Sequence, residues 1–270
     1  MREIPIEKVR KEIVAWLEAY QQKSHTKGFV VGISGGVDSA VVSALCAETG
    51  LPTLCVTLPI HQSEMESSRA KEHIKDLKKR FPNVTHQSID LGLTFDQFVV
   101  DAPKADTKDI TDLSLANARS RLRMLSLYYL AQIHGYLVVG TGNKIEDFGI
   151  GFFTKYGDGG VDINPVADLL KSEVYKMAKE LNIIESIYTA APTDGLFGDS
   201  STDEDQIGAT YPELEWAMSQ YELGKKPKDF TGRQHEVLSI YTNRHLANQH
   251  KMQAIPSYVI PKEWIGEVGE

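Results

Sequence analysis

The sequence predicts an α/β fold, a doubly wound parallel sheet with helices on both faces. Short apolar runs recur along the chain at residues 29–31, 54–58, 84–89 and 137–140, and segments with helical periodicity separate them. Continuous apolar runs are typical of strands that are buried on both faces. Strands that are joined through helices pair in parallel by right-handed crossovers, so the helices cover both faces of the sheet.

Helical periodicity and turn residues predict the connecting elements. We expect helices over residues 5–23, 40–49, 63–80, 115–134, 171–181 and 233–249. Residues 101–112 are polar and charged, which predicts a loop, and residues 192–202 have the composition of a mobile lid. At 270 residues the chain fits one domain over residues 1–270 better than two small ones.

Composition and charge exclude several classes of function. The net charge of −8 argues against a protein that binds nucleic acid without regard to sequence. Cys46 and Cys55 lie in apolar segments, which predicts buried thiols in a reducing compartment. The N-terminus lacks the apolar core of a signal peptide, and no apolar run approaches 18 residues. We therefore expect a cytoplasmic protein with no membrane and no nucleic-acid partner.

A glycine-rich turn follows the first apolar run and opens directly into a helix. Adjacent glycines let a ligand approach the backbone, and the helix start offers unpaired N–H groups at the positive end of the helix dipole. Such a turn suits a phosphate or pyrophosphate group. Two serines add hydroxyl groups, and Asp38 is well placed to hold Mg²⁺ against those phosphates. The turn consists of Gly32, Ile33, Ser34, Gly35, Gly36, Val37, Asp38 and Ser39.

The same turn permits other interpretations. It fits G-x-S-x-G, the nucleophile elbow of an α/β-hydrolase, with Ser34 as nucleophile and His245 or His250 downstream. It could also be a tight turn without a ligand, or the site of a nucleotide sensor without catalysis. It is not a Walker A loop, because G-x-x-x-x-G-K-[ST] does not occur in the chain.

The predicted topology brings two distant carboxylates together. In an open parallel sheet, ligands bind at the carboxyl ends of the strands where the strand order reverses. The glycine-rich turn leaves the first strand, and residues 141–146 leave the fourth. Asp38 and Glu146 should therefore face each other across one crevice, where they would repel unless a cation lies between them. Mg²⁺ with triphosphate oxygens supplies that cation.

These motifs resemble a known family. Residues 34–39 look like the SGGxDS loop of the N-type ATP pyrophosphatases, which share a Rossmann-like fold of the adenine nucleotide alpha hydrolase type. Four further stretches are similar to NAD synthetase, and the similarity runs from about residue 5 to about residue 260. They are residues 117–124, residues 140–141 with Glu146, residues 151–162 and residues 192–196.

The resemblance implies a ligase that forms a carbon–nitrogen bond in the last step of NAD synthesis. Mg²⁺-ATP adenylates the nicotinate carboxylate of deamido-NAD, and ammonia then displaces AMP to give NAD. Another ligase of the ATP pyrophosphatase group is the alternative. The resemblance also implies a homodimer in which both subunits contribute to the dinucleotide site.

The resemblance assigns roles to individual residues. Asp38, Lys171 and Glu146 would be catalytic, and Asp38 and Glu146 would also hold the metal. The residues that would bind ATP are Gly32, Ile33, Ser34, Gly35, Gly36, Val37, Asp38, Ser39, Thr141, Lys171 and Thr193. Those that would bind deamido-NAD are Arg121, Lys155, Asp162, His250 and Lys251.

Overall fold

The computed structural model, which describes residues 2–62, 64–190 and 202–266, contains a parallel sheet. Its four strands have the order β3-β2-β1-β4. Every pairing is parallel, so the predicted doubly wound parallel sheet is confirmed. The strands are β1 (Phe29–Gly32), β2 (Thr53–Thr57), β3 (Val84–Ser88) and β4 (Leu137–Val139).

Helices fill most of the described chain between and after the strands. A π-helical segment, Lys144–Ile150, follows β4, and two short 3₁₀ helices lie at Pro227–Asp229 and Lys262–Trp264. The α-helices in this part of the chain are α1 (Ile6–Ser24), α2 (Val37–Glu48), α3 (Glu64–Arg80), α4 (Gly92–Asp101), α5 (Lys108–His134), α6 (Lys171–Glu180), α7 (Glu185–Tyr188), α8 (Asp203–Ile207), α9 (Tyr211–Glu222) and α10 (Gly232–Met252).

The predicted loop over residues 101–112 is wrong at its C-terminal end. Helix α4 ends at Asp101, and α5 begins at Lys108, seven residues before the predicted start. The Thr107 side chain caps α5 by accepting a hydrogen bond from the Ile110 amide. Lys108, the first residue of α5, forms an i,i+4 ion pair with Asp112. The polar composition therefore reflects an exposed first turn of helix.

Alternation along the strands divides the core between the two faces of the sheet. Phe29 and Val31 pack in a cluster that also contains Leu45 of α2 and Met177 of α6. Val30 points to the opposite face and joins the cluster beneath α4 and α5. Both faces are thus buried, which explains the continuous apolar runs.

A third apolar cluster lies beyond the sheet. It joins Ile145 and Ile150 of the π-helical segment to residues of α9 and α10, including Leu214 and Tyr241. This cluster fixes the position of the π-helical segment, which carries Glu146. The fold therefore supports this side of the candidate site with its own apolar packing.

The predicted buried thiols are confirmed. Cys46 and Cys55 are free and buried, and burial raises the pKa of the Cys55 thiol to about 12. Among the helices that the structure describes, none combines the length and apolarity needed to cross a membrane.

The centre of the sheet defines where a ligand can bind. β1 pairs with β2 on one side and with β4 on the other, so the strand order reverses between β1 and β4. The loops that leave these two strands emerge at the same edge of the sheet. Residues after Gly32 and after Val139 therefore approach each other, as the sequence predicts.

His73 is a buried titratable group outside this edge. It lies on α3, is inaccessible to solvent, and its Nε2 is 2.9 Å from the Ser43 hydroxyl. That hydroxyl donates to the Ser39 carbonyl, 2.8 Å away, so the ring donates from Nε2. Burial lowers the pKa of His73 to about 4.

We predict that His73 makes stability depend on pH. Its pKa is lower in the folded than in the unfolded chain, so protons bind the unfolded state first as the pH falls below about 6.5. Because a tenfold change in a proton-binding constant is about 1.4 kcal/mol, the free energy of unfolding should fall by about 3 kcal/mol by pH 4. Urea unfolding of the wild type and of His73→Gln at pH 7 and pH 4 measures this contribution.

The variant should lose less stability than the wild type over that interval. His134→Gln is the matched control, because the His134 ring is exposed on α5 and its replacement removes no buried imidazole. Equal losses in the wild type and in His73→Gln would contradict the assignment.

Candidate active site

The glycine-rich turn is held in place by its own serine hydroxyls. The Ser34 hydroxyl accepts a hydrogen bond from the Gly36 amide at 3.1 Å, and the Ser39 hydroxyl donates to the Gly36 carbonyl at 3.0 Å. The two hydroxyls are 3.1 Å apart. Gly35 has φ of 90°, a left-handed conformation that glycine adopts without strain. The turn therefore presents the start of α2 in one fixed arrangement.

The hydrolase interpretation is not supported by the position of Ser34. Its hydroxyl contacts Ser39 and Gly36, whereas His245 Nδ1 lies 2.6 Å from the Gly149 carbonyl and the His245 ring stacks on Tyr241. Within the described residues the structure gives Ser34 no imidazole partner. A serine nucleophile requires a base within hydrogen-bond reach, so this arrangement lacks that machinery.

A cavity of about 370 Å³ opens beside the turn at the edge of the sheet. Its wall contains residues from the turn, from the loop after β4 and from the end of β2. Thr141 lines it, and its contact with ATP stays a prediction. Other lining residues are Gly32, Ile33, Ser34, Ser39, Thr57, Gln62, Lys71, Gly140 and Asp158.

Two carboxylates meet over one ammonium group at this edge. Lys171 is the first residue of α6 and is 3% exposed. Its Nζ donates to Asp38 Oδ2 at 2.7 Å and to Glu146 Oε1 at 2.9 Å. The prediction that Asp38 and Glu146 converge is thus confirmed, although the cation between them in this structure is the lysine ammonium. A cation at a helix N-terminus opposes the helix dipole, so the carboxylates must hold it there.

Asn143 and Tyr211 orient the two carboxylates, and neither was predicted. Asn143 Nδ2 donates to Asp38 Oδ1 at 3.0 Å, while Asn143 Oδ1 accepts from the Glu146 amide at 3.1 Å and caps the π-helical segment. The Tyr211 hydroxyl donates to Glu146 Oε1 at 2.5 Å. Lys171 Nζ lies 4.9 Å from the centre of the Tyr211 ring. Asn143 follows the strand–Thr–Gly pattern and could have been found as a helix cap, whereas Tyr211 leaves no such signal.

The electrostatics of the three charged groups are coupled. Burial lowers the pKa of Lys171, but Asp38 and Glu146 outweigh it and the pKa is raised. Burial raises the pKa of Glu146, but Lys171 outweighs it and the pKa is lowered. Burial raises the pKa of Asp38 by more than Lys171 lowers it, and Glu146 raises that pKa further. One ammonium therefore does not neutralise both carboxylates.

Another acidic side chain is buried beside this cluster. Asp147 is buried, and burial, Asp158, Glu146 and Asp38 raise its pKa well above the usual range. No cluster of three or more histidine, cysteine or acidic side chains with metal-binding geometry occurs within residues 2–62, 64–190 and 202–266. Two carboxylates can still hold Mg²⁺, since this ion keeps waters and takes phosphate oxygens as its remaining ligands. The donor set fits such an ion, because two carboxylates share one ammonium group there.

Four of the five predicted dinucleotide contacts lie in one network. Arg121 Nε donates to the Lys155 carbonyl at 3.2 Å, and Lys155 Nζ donates to the His250 carbonyl at 2.6 Å. Lys251 Nζ donates to the carbonyls of Phe153, at 2.7 Å, and Gly151. The C-terminal end of α10 is thus hydrogen-bonded to the loop that follows the π-helical segment.

The other predicted contacts are placed differently. Asp162 accepts from the Val138 amide at 2.8 Å and from the Tyr128 hydroxyl at 3.0 Å, so it anchors the chain beside β4. Thr193 and most of the predicted lid, residues 192–201, lie outside the described residues.

Comparison with known proteins is decisive for the family. A family model described as NAD synthase matches residues 9–255. The chain belongs to the NAD synthase family. The NH(3)-dependent NAD(+) synthetase of Mycoplasma genitalium is 43% identical over 77% of this chain and 81% of its own length. That relative lies in the same ligase family that the motifs resemble.

Solved structures agree with this family and fold. A structure of NMN synthetase from Francisella tularensis matches with a TM-score of 0.82 and 31% identity, covering 96% of this chain and 100% of that one. The NH3-dependent NAD synthetase from Campylobacter jejuni matches with a TM-score of 0.76 and 25% identity over the same shares of the two chains. The Rossmann-like fold implied by the motifs is thus that of the NAD synthase family.

We predict that Lys171 is required for stability as well as for the site. Lys171→Met leaves two buried carboxylates without their cation, which should lower the free energy of unfolding by about 3–5 kcal/mol at pH 7. Addition of Mg²⁺ should raise Tm more in the variant than in the wild type, because the ion can take the place of the ammonium. Thermal unfolding with and without Mg²⁺ measures both effects.

Lys176→Met is the matched control, since Lys176 is exposed on the same helix and its removal should change stability by less than about 0.5 kcal/mol. A Lys171→Met protein as stable as this control would contradict the interpretation that the ammonium holds the two carboxylates.

Proposed function

We propose that the protein catalyses the ATP-dependent amidation of deamido-NAD by ammonia, forming NAD, AMP and pyrophosphate. The observation that carries the proposal is the Asp38–Lys171–Glu146 cluster beside a phosphate-binding turn, in a chain of the NAD synthase family. A nucleotide sensor would need the turn but no such cluster. The relatives named above support a carbon–nitrogen ligase.

The proposed reaction has two chemical steps, and the residues of the site have separate roles in them. A carboxylate is a poor acyl donor, so ATP first converts the nicotinate carboxylate into an acyl adenylate with AMP as leaving group. The amides at the start of α2 and the hydroxyls of Ser34 and Ser39 bind the departing pyrophosphate. Lys171 can release the carboxylates and donate to the α-phosphate as negative charge develops there. Ammonia then attacks the activated carbonyl and AMP leaves.

Asp38 and Glu146 would hold Mg²⁺ in this scheme. Bound there, the ion neutralises charge on the phosphate oxygens and orients them. Asn143 fixes the Asp38 carboxylate and the backbone of Glu146, so Asp38 keeps its orientation while Lys171 changes partner. Thr141 and Thr193 complete the proposed set of ATP contacts.

Deamido-NAD binds, in this proposal, through Arg121, Lys155, Asp162, His250 and Lys251. The support is that Lys155 and Lys251 are held between α10 and the loop at residues 151–156, where ammonium groups are concentrated. Two phosphates of a dinucleotide would find cations there.

The proposal includes a homodimer. On α5, Leu125, Tyr129 and Ile133 are 61%, 64% and 58% exposed and recur every fourth residue, so they form one apolar stripe. An exposed apolar stripe of this kind is typical of a protein–protein interface. A second copy of the chain covers it in our proposal.

Light scattering tests the dimer. We expect a mass twice that of one chain for the wild type and a monomer for Tyr129→Glu, because a carboxylate buried in an apolar interface has no partner. Lys8→Glu, which changes an exposed residue of α1, should remain a dimer. A Tyr129→Glu protein that keeps the wild-type mass would place the interface elsewhere.

Release of pyrophosphate tests the reaction. With ATP, Mg²⁺ and ammonium, we expect release only when deamido-NAD is present, and neither xanthosine monophosphate nor citrulline should replace it. Nicotinic acid mononucleotide is the informative competitor, because one solved relative is an NMN synthetase. A higher kcat/KM for the mononucleotide than for deamido-NAD would show that the mononucleotide is the preferred substrate.

In the same assay, Asp38→Asn and Glu146→Gln should each lower kcat at least about 100-fold. Each removes one of two carboxylates that share one ammonium, so the fold should persist. Glu12→Gln, an exposed change on α1, is the control. Unchanged turnover in either site variant would show that the assignment of Asp38 and Glu146 as metal ligands is wrong.

The proposal also places the enzyme in the cytoplasm. The support is that both cysteines are buried free thiols, as expected in a reducing compartment.

A further inference from the structure

Helix α9 meets the charged cluster through two residues one turn apart. Glu215 is 5% exposed, and its carboxylate accepts from the Ser172 amide and the Ser172 hydroxyl, both at 2.8 Å. Ser172 follows Lys171 at the start of α6, so Glu215 docks α9 onto the element that carries the catalytic ammonium. Tyr211 lies four residues earlier on the same face of α9 and reaches Glu146.

The side chain of Tyr211 has a fixed position. It is 5% exposed, its ring packs in the apolar cluster with Tyr241, and its amide donates to Glu204 Oε1 at 2.8 Å. Thr210 caps the helix immediately before it. A rigid phenol placed in this way can set the position of the group to which its hydroxyl donates.

The hydroxyl has one proton and lies near two carboxylates. It is 2.5 Å from Glu146 Oε1 and 3.3 Å from Asp203 Oδ2, so the shorter contact to Glu146 is the one that takes the proton. Lys171 donates to the same oxygen, Oε1. Tyr211 and Lys171 thus both bind the same oxygen of Glu146.

We infer that Tyr211 is a positioning residue that holds Glu146 in the orientation needed to bind the metal of Mg²⁺-ATP. The inference depends on the proposed function, since it assumes that Glu146 is a metal ligand. Hydrogen bonds to a ligating carboxylate fix its rotamer, and removal of such a bond lowers metal affinity about 10- to 100-fold in other proteins. When Lys171 turns toward the phosphate, Tyr211 keeps Glu146 in place.

Tyr211→Phe isolates the hydroxyl, because phenylalanine retains the ring beneath the Lys171 ammonium and the packing of the cluster. We expect Mn²⁺ to bind about 10- to 100-fold more weakly to the variant than to the wild type in the presence of ATP, as measured by electron paramagnetic resonance. The Mg²⁺ concentration for half-maximal turnover should rise by the same factor, while KM for deamido-NAD stays unchanged.

Tyr241→Phe is the matched control, since it removes a buried hydroxyl from the same apolar cluster without touching the carboxylates. It should bind Mn²⁺ as the wild type does. In a Glu146→Gln background, Tyr211→Phe should cause no further loss of Mn²⁺ affinity, because the tyrosine acts through Glu146.

The outcomes separate this inference from the function on which it rests. If the wild type with ATP binds no Mn²⁺, the proposed metal site is wrong. If the wild type binds Mn²⁺ and Tyr211→Phe binds it equally well, or if the variant weakens binding in the Glu146→Gln background too, the positioning role is wrong. Circular dichroism of Tyr211→Phe shows that the comparison is made between folded proteins.

Discussion

One ammonium group shared by two buried carboxylates is the interaction on which the rest of the site depends. Lys171 cannot be removed from between Asp38 and Glu146 without another cation taking its place, because two desolvated carboxylates repel strongly. The same requirement for a cation underlies the proposed function. An arrangement that demands a cation can receive a metal ion and release the lysine to stabilise charge on a phosphate.

The fold supplies this arrangement from three separate parts of the chain. Asp38 comes with the turn after β1, Glu146 with the π-helical segment after β4, and Lys171 with the start of α6. The reversal of strand order between β1 and β4 brings the first two to one edge. The apolar cluster between the π-helical segment, α9 and α10 then fixes the second carboxylate from the far side.

Some of these features can be predicted from the sequence, and others cannot. Continuous apolar runs and a glycine-rich turn are local signals, so the sheet and the convergence of Asp38 and Glu146 could be predicted. The start of α5 was missed because its first turn is polar. The hydrogen bond from Tyr211 to Glu146 spans 65 residues and depends on how α9 packs, which no local pattern encodes. The single-domain organisation and the dinucleotide contacts stay predictions.

Anomalous diffraction from crystals grown with Mn²⁺ and ATP tests whether Asp38 and Glu146 bind the metal. We expect a manganese ion within about 2.3 Å of carboxylate oxygens of both Asp38 and Glu146, with Lys171 Nζ turned from the carboxylates to a phosphate oxygen. A manganese ion bound away from these carboxylates while ATP occupies the turn would contradict it, as would a lysine ammonium that still joins them.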